Sequence, residues 1–248
     1  MKITSVNNEL IKETAKLLKS KHRNETGLFI IEGFKGIEEA LSSGVEIEKI
    51  FICQNEIIDN EILKQVKNDI IIEVTDTVIS KISDAKSAPK AVAVAKQLSP
   101  KWSDNYKKVI LLEGIKDPGN LGTILRTAAA FNIDAVVLYG DTVDLYNPKT
   151  VRSAVGNLWK IPVFKFDNLD KFKDYECYAT LPSGENSIKL NDYRPAGKTV
   201  IMFGSEADGL SENLKNFATK NLTIEMSENV ESLNLSVSAA IVMYELNK

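Results

Sequence analysis

The chain has 248 residues, of which 44% are hydrophobic and 26% are charged, and its formal net charge is −3. This length suits one large domain or two small ones, each able to bury a hydrophobic core. No apolar run reaches the roughly 18 residues of a membrane-spanning helix, and the polar first ten residues predict no signal peptide. We therefore expect a cytoplasmic protein without a membrane partner. The negative net charge argues against a protein that coats polyanions uniformly, although a local basic patch can still bind nucleic acid.

The few cysteine and histidine residues restrict the chemistry further. Cys53 and Cys177, without a Cys-x-x-Cys pair, predict buried thiols and not a disulfide framework or a zinc site. His22 is the only histidine, so a multi-histidine metal site is excluded and any Ser-His-Asp chemistry would have to use it. It lies between Lys21 and Arg23 in a polar segment, where a surface or RNA-facing position fits better than a catalytic one.

In the first part of the chain, strands and helices alternate as in a small α/β sandwich. We predict a domain over residues 1–98, a linker over the polar, proline-containing residues 99–107, and a second domain over residues 108–248. The predicted strands of the first domain are 28–33, 49–53, 69–74 and 91–96, and its predicted helices are 7–20, 34–41, 61–68 and 77–83.

The second domain is predicted to be an α/β domain with a parallel sheet, because its strands are nearly continuous apolar runs. Ligands of such sheets bind beyond the carboxyl ends of the strands, so the loops at those ends are the candidate site. The predicted strands are 108–114, 134–140, 161–166, 176–181, 198–204 and 221–226, and the predicted helices are 121–132, 148–157, 212–218 and 232–246.

The first of these loops carries a Pro118-Gly119 turn, followed by Asn120 and Arg126. Asn120 could cap the next helix or offer its amide to a ligand, and Arg126 could be a solvated cation or a ligand contact. The loop has neither the Gly-x-Gly-x-x-Gly pattern of dinucleotide-binding proteins nor a Walker lysine.

Two further loops have the same strand-loop-helix character. In residues 200–210 a strand runs into Gly204 and Glu206, where glycine lets a ligand approach the backbone. In residues 222–240, Ser232 and Asn234 stand where a helix begins and could be no more than capping residues. Each loop alone could be an ordinary turn, but three that converge at one sheet edge favour a ligand site.

The segments 117–128, 203–210 and 230–240 occur in the order and at the spacing of the SpoU (TrmH) class of SPOUT methyltransferases, which the chain resembles. The resemblance implies S-adenosylmethionine as cofactor, an RNA ribose 2′-hydroxyl as methyl acceptor, and no metal. It also implies a trefoil knot near the C-terminus and a homodimer with the active site where two knots meet. The first domain resembles the ribosomal-protein-like substrate-binding domain often attached to this class, which favours ribosomal RNA over the alternative, transfer RNA.

The resemblance also assigns site residues. Those at catalytic or substrate-contact positions are Asn120, Arg126, Glu206, Ser232 and Asn234, and those beside the cofactor are Gly204, Ile224, Met226 and Leu233, with Thr180 and Leu181 nearby. We expect Arg126 to orient the nucleotide and stabilise negative charge, since a guanidinium group gives up a proton too reluctantly to act as a base. The sequence departs from the class where Glu225 replaces a common proline and Glu228 a common glycine.

Basic residues are concentrated near the start of the chain, where residues 1–24 hold six Lys or Arg side chains and two acidic ones. We expect Lys19, Lys21 and Arg23 to contact RNA phosphates, although a solvated helix face would have the same composition. Two other functions remain open: a non-catalytic RNA-binding protein of the same fold, and an α/β enzyme that binds a nucleotide phosphate at the helix near Leu121. The presence of all five catalytic-position residues favours an enzyme.

Overall fold

The computed structural model describes residues 2–54, 56, 66, 70–182, 187–194 and 197–248. The chain forms two compact units, Met1–Ser99 with Asp144–Lys160, and Pro100–Val143 with Ile161–Lys248. Residues 144–160 therefore pack with the first unit although they lie inside the predicted second domain. The functional roles expected for the two domains remain predictions.

The first unit is built on a mixed five-stranded sheet in the order β1-β4-β3-β5-β2. Strands β1, β4 and β3 run parallel, while β5 is antiparallel to both β3 and β2. The strands are β1 (Lys2–Ile3), β2 (Leu28–Glu32), β3 (Ile47–Cys53), β4 (Ile71–Val74) and β5 (Ala91–Lys96), and the helices are α1 (Glu9–Lys16), α2 (Ser20–Thr26), α3 (Phe34–Ser42), α4 (Asp76–Lys81) and α6 (Pro148–Ala154). This confirms the predicted α/β class, and the helix predicted over 61–68 lies almost entirely outside the described residues.

The helix predicted over residues 7–20 ends early, at Lys16, and a second helix that was not predicted begins at Ser20. Asn8 caps α1 by accepting a hydrogen bond from the Leu10 backbone N–H. The helix ends where the Leu17 N–H bonds to the Thr14 carbonyl three residues back, a tight last turn that breaks the α-helical pattern. α2 then runs to Gly27, whose φ of 67° closes it in the left-handed conformation.

Side chains of the first unit hold the segment 144–160 in place. Arg23 is 2% exposed and its guanidinium donates to Asp144 Oδ2 and to the Leu17 carbonyl. Arg152 on α6 pairs with Glu32 and Asp84. A pattern of helices and strands along the chain gives no sign of these long-range ion pairs, which is why the predicted boundary did not separate this segment.

The second unit contains a seven-stranded sheet in the order β10-β12-β9-β11-β6-β7-β8, in which every strand pair is parallel. Successive residues along its central strands are buried, so both faces of the sheet are covered there, as the sequence predicted. The strands are β6 (Lys108–Glu113), β7 (Ala135–Tyr139), β8 (Val163–Phe166), β9 (Glu176–Thr180), β10 (Ser187–Lys189), β11 (Thr199–Phe203) and β12 (Lys220–Thr223), and the helices are α5 (Pro118–Ala130), α7 (Glu212–Phe217) and α8 (Leu235–Leu246). Short β1 and β10 were not predicted.

The predicted linker is partly integrated into the second unit. Trp102 makes edge contacts with Phe164 and Phe172, with ring centroids 5.1 and 5.7 Å apart, and Tyr106 packs on the same cluster. Burying a large aromatic side chain is worth about 1.5–3 kcal/mol, so residues from Trp102 onward contribute to the core of this unit.

Both cysteines are free and buried, as predicted. Burial raises the pKa of Cys53 to about 11 and that of Cys177 to about 12, so both thiols are protonated near neutral pH. No helix in the described part of the chain is long and apolar enough to cross a membrane.

Candidate active site

The predicted site loops meet at one edge of the second sheet. Strands β12, β9, β11 and β6 are consecutive neighbours and all run parallel, so their carboxyl ends lie side by side. Beyond these ends follow Ile224, Leu181, Gly204 and Gly114, in that order across the sheet. This is the edge at which open parallel sheets bind ligands.

The loop after β6 orients Asn120 without using it as a helix cap. α5 begins at Pro118, three residues earlier than predicted, and Asp117 is its cap, accepting a 2.8 Å hydrogen bond from the Asn120 backbone N–H. Proline suits the first helical position because its missing N–H would have no helical partner there. Asn120 therefore lies in the first turn of α5 with its side-chain amide available for other partners.

The loop after β11 is a tight structure closed on itself. Ser205 and Gly209 exchange backbone hydrogen bonds of 3.2 and 3.0 Å. At Gly204 a Cβ atom would lie 1.9 Å from the Gly209 carbonyl carbon and 2.2 Å from the Leu210 nitrogen. Only glycine fits this position, and the loop holds Glu206 exposed at the sheet edge.

Asn234 connects the third loop to the other two. It is the N-cap of α8, where its Oδ1 accepts hydrogen bonds from the backbone N–H groups of Ser236 and Val237. Its Nδ2 donates to Asn120 Oδ1 at 3.2 Å, and Asn120 Nδ2 donates to Glu206 Oε1 at 2.6 Å. Three expected site residues from three loops thus form one hydrogen-bonded chain.

The other two residues at expected catalytic positions do not belong to this hydrogen-bonded chain. Arg126 is exposed on α5, and the described residues offer it neither an ion pair nor a hydrogen bond. Ser232 is exposed two residues before Asn234 and is likewise unbonded to any described residue. Both side chains are therefore free to meet a substrate.

The expected cofactor contacts surround the ends of β9 and β12. The Leu181 N–H bonds to the Leu222 carbonyl at 3.1 Å, and Thr223 Oγ1 donates to the Leu181 carbonyl at 3.0 Å. These bonds fix the two strand ends to each other. Partly exposed apolar side chains line the same ends at Leu181, Ile224 and Leu233, and the Met226 side chain is 36% exposed.

The two positions at which the sequence departs from the SpoU pattern, Glu225 and Glu228, differ in their contacts. Glu225 forms an ion pair with Lys189 of β10 at 2.8 Å, which raises the pKa of that lysine. Glu228 is exposed on the loop before α8. The ion pair joins the segment after β12 to the edge strand of the sheet.

The basic residues expected to contact RNA are placed differently from one another. Lys19 and Lys21 are exposed, whereas Arg23 is buried against Asp144. The expectation that Arg23 binds a phosphate does not fit this position, because its guanidinium is already enclosed by protein acceptors. His22 is partly buried, with its ring nitrogens 3.7 and 3.8 Å from Glu13 and Glu25.

Residues of the site that the sequence did not single out are Asp117 and Ser236. Both act at helix N-termini, Asp117 as the cap of α5 and Ser236 by donating its hydroxyl to Asn234 Oδ1 at 2.6 Å. The Asp-Pro pair and the Asn-x-Ser spacing are the signals that could have found them. The described residues contain no group of three or more His, Cys, Asp or Glu side chains that could hold a metal ion.

Known proteins share both the sequence pattern and the fold of this chain. The sequence profile of the SpoU rRNA methylase family matches residues 107–244, which is more than half of the chain. The chain belongs to this family. A second profile, that of the MRM3-like substrate binding domain, matches residues 8–93.

Relatives of full length support this membership. The chain is 31% identical, over 98% of both sequences, to the 23S rRNA (guanosine(2553)-2′-O)-methyltransferase RlmP of Bacillus subtilis. Among solved structures it resembles an AdoMet-bound rRNA methyltransferase from Sinorhizobium meliloti, with a TM-score of 0.86 and 27% identity over 99% of this chain and 96% of the other. It also resembles a structure described as an RNA 2′-O ribose methyltransferase, with a TM-score of 0.81 and 32% identity over 99% and 97% of the two chains.

Proposed function

We propose that this protein transfers the methyl group of S-adenosylmethionine to a ribose 2′-hydroxyl of RNA, with ribosomal RNA as the favoured substrate. The observation that carries the proposal is the hydrogen-bonded chain of Asn234, Asn120 and Glu206 at the carboxyl edge of a parallel sheet. It occurs in a member of the SpoU family whose relative RlmP is named as a 23S rRNA 2′-O-methyltransferase.

The residues at the sheet edge fit the proposed cofactor. An adenosine with an amino-acid tail needs an apolar surface for the base and backbone groups for its polar atoms. Leu181, Ile224 and Leu233 offer partly exposed apolar surface, and the loop at Gly204 brings backbone close to the edge. When bound, the cofactor supplies a methyl group on a positively charged sulfur, and this carbon is already activated for attack.

The protein must then orient the ribose and handle the charge on its oxygen. Glu206 Oε1 is held by Asn120, while Oε2 has no hydrogen bond to the described residues and can accept one from the 2′-hydroxyl. Arg126 is free to bind a substrate phosphate and to stabilise the negative charge that develops on the attacking oxygen. Ser232 and the remaining N–H of Asn234 can donate to the nucleotide.

RNA affinity would be shared between the two parts of the chain. Lys19 and Lys21 are exposed and can contact phosphates, which gives a salt-dependent contribution to binding. We assign residues 1–98 to substrate binding and residues 108–248 to catalysis, as the matched ranges 8–93 and 107–244 support. The free thiols of Cys53 and Cys177 are compatible with the proposed cytoplasmic location, where thiols stay reduced.

The homodimer and the trefoil knot expected from the resemblance are also part of the proposal. An apolar stripe on α8 supports the dimer: Val237, Ile241 and Tyr244 are 47%, 37% and 55% exposed at helical spacing on one face. Apolar residues repeated along one exposed helix face are typical of a surface that packs on a partner, and a second copy of this chain is the partner we propose.

The test is methyl transfer by the purified full-length protein. RNA from a strain that lacks the gene is incubated with the enzyme and S-adenosylmethionine, and ribosomal and transfer RNA fractions are digested separately and analysed for 2′-O-methylnucleosides by mass spectrometry. We expect one new modification in ribosomal RNA, and activity that survives a chelator. Modification confined to transfer RNA would overturn the choice of substrate, and methylation of a base would overturn the proposed acceptor.

A binding experiment distinguishes the proposed function from its two alternatives. Calorimetry with S-adenosylmethionine and with ATP distinguishes a methyltransferase from an enzyme that binds a nucleotide phosphate. A protein that binds RNA and the cofactor but never transfers the methyl group would be the non-catalytic alternative.

A further inference from the structure

Ser236, in the first turn of α8, has no role in the methyl transfer proposed above. Its side chain is largely buried, with 9% exposed, and its hydroxyl donates to Asn234 Oδ1 at 2.6 Å. A serine that only capped the helix would accept a hydrogen bond from a backbone N–H. Ser236 instead donates to the residue that already caps the helix.

Three donors therefore converge on one carboxamide oxygen. Asn234 Oδ1 accepts from the backbone nitrogen of Ser236 at 2.9 Å, from that of Val237 at 3.3 Å and from the Ser236 hydroxyl at 2.6 Å. A carboxamide has one acceptor side and one donor side. Rotation of the Asn234 amide by half a turn would place its N–H₂ group against the two backbone donors, so its nitrogen must face away from the helix.

The orientation of the Asn234 amide determines that of the Asn120 amide, and this in turn determines which group faces Glu206. Asn234 Nδ2 donates to Asn120 Oδ1 at 3.2 Å, which leaves Asn120 Nδ2 to face Glu206 Oε1 at 2.6 Å. If Asn120 were reversed, its oxygen would face the carboxylate and its N–H₂ group would face the donor side of Asn234. The chain of donors thus runs in one direction, from α8 to Glu206.

We infer that Ser236 is a positioning residue: its hydroxyl adds a third bond to the Asn234 oxygen that the two backbone donors orient, and so holds the amides of Asn234 and Asn120, and thereby the carboxylate of Glu206, in place. In this arrangement the spare N–H groups of both asparagines and the free oxygen of Glu206 present one fixed donor–acceptor pattern to the ribose. The inference rests on the proposed function, because the benefit of the pattern is methyl transfer to a 2′-hydroxyl.

The first experiment compares three single variants of the full-length protein. Ser236→Ala removes one of the three donors and keeps both backbone donors, so kcat should fall roughly three- to tenfold, as expected for one lost hydrogen bond, while KM for S-adenosylmethionine stays the same. Ser236→Thr keeps a hydroxyl and should restore most of kcat. Ser238→Ala is the matched control, since the Ser238 hydroxyl bonds to no described residue, and should leave kcat unchanged.

A double-mutant cycle distinguishes positioning from helix stability. In Glu206→Gln the side chain can face Asn120 with either an acceptor or a donor, so the direction of the amide chain no longer matters to it. Ser236→Ala should therefore lower the single-turnover rate of methyl transfer in the wild-type background and leave that rate unchanged in the Glu206→Gln background. An equal loss in the two backgrounds, or no loss in the wild-type background, would overturn the inference.

A measurement without RNA or cofactor separates this inference from the proposed function. The side-chain amide NMR signals of Asn120 and Asn234 should both move in Ser236→Ala and neither should move in Ser238→Ala. If the wild-type protein methylates no RNA, the proposed function fails while these signals still report the amide chain. An Asn120 signal that Ser236→Ala leaves unchanged would overturn the role of Ser236 whatever the activity.

Discussion

At the scale of single residues, the candidate site contains side chains that bond to one another and side chains that have no bonded partner among the described residues. Asn120, Asn234 and Glu206 bond to each other, whereas Arg126 and Ser232 have no bonded partner among the described residues. A residue without a partner can be replaced at little cost in stability, so its functional role can be measured cleanly.

Arg126 offers such a measurement. Replacing Arg126 with Ala should lower kcat on the correct RNA by roughly 10²–10³-fold, the usual cost of losing one group that stabilises transition-state charge. Because the side chain is exposed and unbonded to described residues, the melting temperature should stay within about a degree of wild type. Arg126→Lys should recover only part of the rate, since lysine lacks the planar, two-pronged donor geometry. Wild-type turnover in either variant would remove Arg126 from the mechanism.

A substitution at Gly204 tests the geometry of the loop after β11. In Gly204→Ala the new Cβ would lie about 2 Å from the backbone of Gly209 and Leu210, so the loop must shift. We expect a loss of about 1–3 kcal/mol in the free energy of unfolding, and a weaker Kd for S-adenosylmethionine, measured by scanning and titration calorimetry. Gly197→Ala is the control, because a Cβ added at Gly197 would meet no atom of the described residues within 4 Å. Equal effects of the two substitutions would contradict the close approach at Gly204.

The sequence pattern predicts the environment of some residues and not of others. The motif residues Asn120, Glu206 and Asn234 could be predicted from the pattern, and they do contact each other. Arg23 shows the reverse case, because a basic side chain in a basic segment looks the same whether it is solvated or buried. The buried environment of Arg23 depends on Asp144, which is 121 positions away in the chain.

At the scale of elements, hydrophobic patterns identified the strands well and the helix ends less well. The strand predicted over 91–96 is β5 as observed, because its continuous apolar run belongs to a central strand that is buried on both faces. α5 begins three residues before its predicted start, because Pro118, which the sequence pattern places in the turn, is the first helical residue. β10, at the edge of the sheet, has too few apolar residues to be recognised.

α8 is the element whose exposed face carries the proposed dimer. Ile241→Glu would place a charge in the centre of the stripe formed by Val237, Ile241 and Tyr244. A charge without a partner in an apolar interface costs several kcal/mol, so the variant should sediment as a monomer where the wild type sediments as a dimer. Val155→Glu is the matched control, because Val155 is similarly exposed, at 40% against 37% for Ile241, and should not change the mass. A wild-type protein that is monomeric at micromolar concentration would contradict the proposed dimer.

At the scale of the whole molecule, the parallel sheet of the second unit follows from composition, but its strand order does not. Nearly uniform apolar strands separated by helices predict parallel pairing. The order β10-β12-β9-β11-β6-β7-β8 depends instead on which strand ends fit together, as at Thr223 and Leu181, and such pairings join residues distant in the chain. That order is what brings the loops after β6, β9, β11 and β12 to neighbouring positions.

The charge of the whole molecule gives the last prediction. With a net charge of −3 the protein as a whole does not attract RNA, so binding must depend on local cations such as Lys19 and Lys21. Replacing both with Glu should weaken RNA binding and reduce the slope of log Kd against log salt by about 2, since each lost phosphate contact removes roughly one unit. Calorimetric affinity for S-adenosylmethionine should stay the same.

The matched control changes the net charge equally elsewhere. Lys101 and Lys171 are exposed and form no ion pair with the described residues, so the double variant Lys101→Glu, Lys171→Glu reproduces the shift in total charge without touching α2. If both double variants weaken RNA binding to the same extent, the effect belongs to the net charge of the protein and Lys19 and Lys21 are not phosphate contacts. A loss confined to the first variant, with the reduced salt slope, assigns these contacts to the start of α2, because only local charge then distinguishes the two proteins.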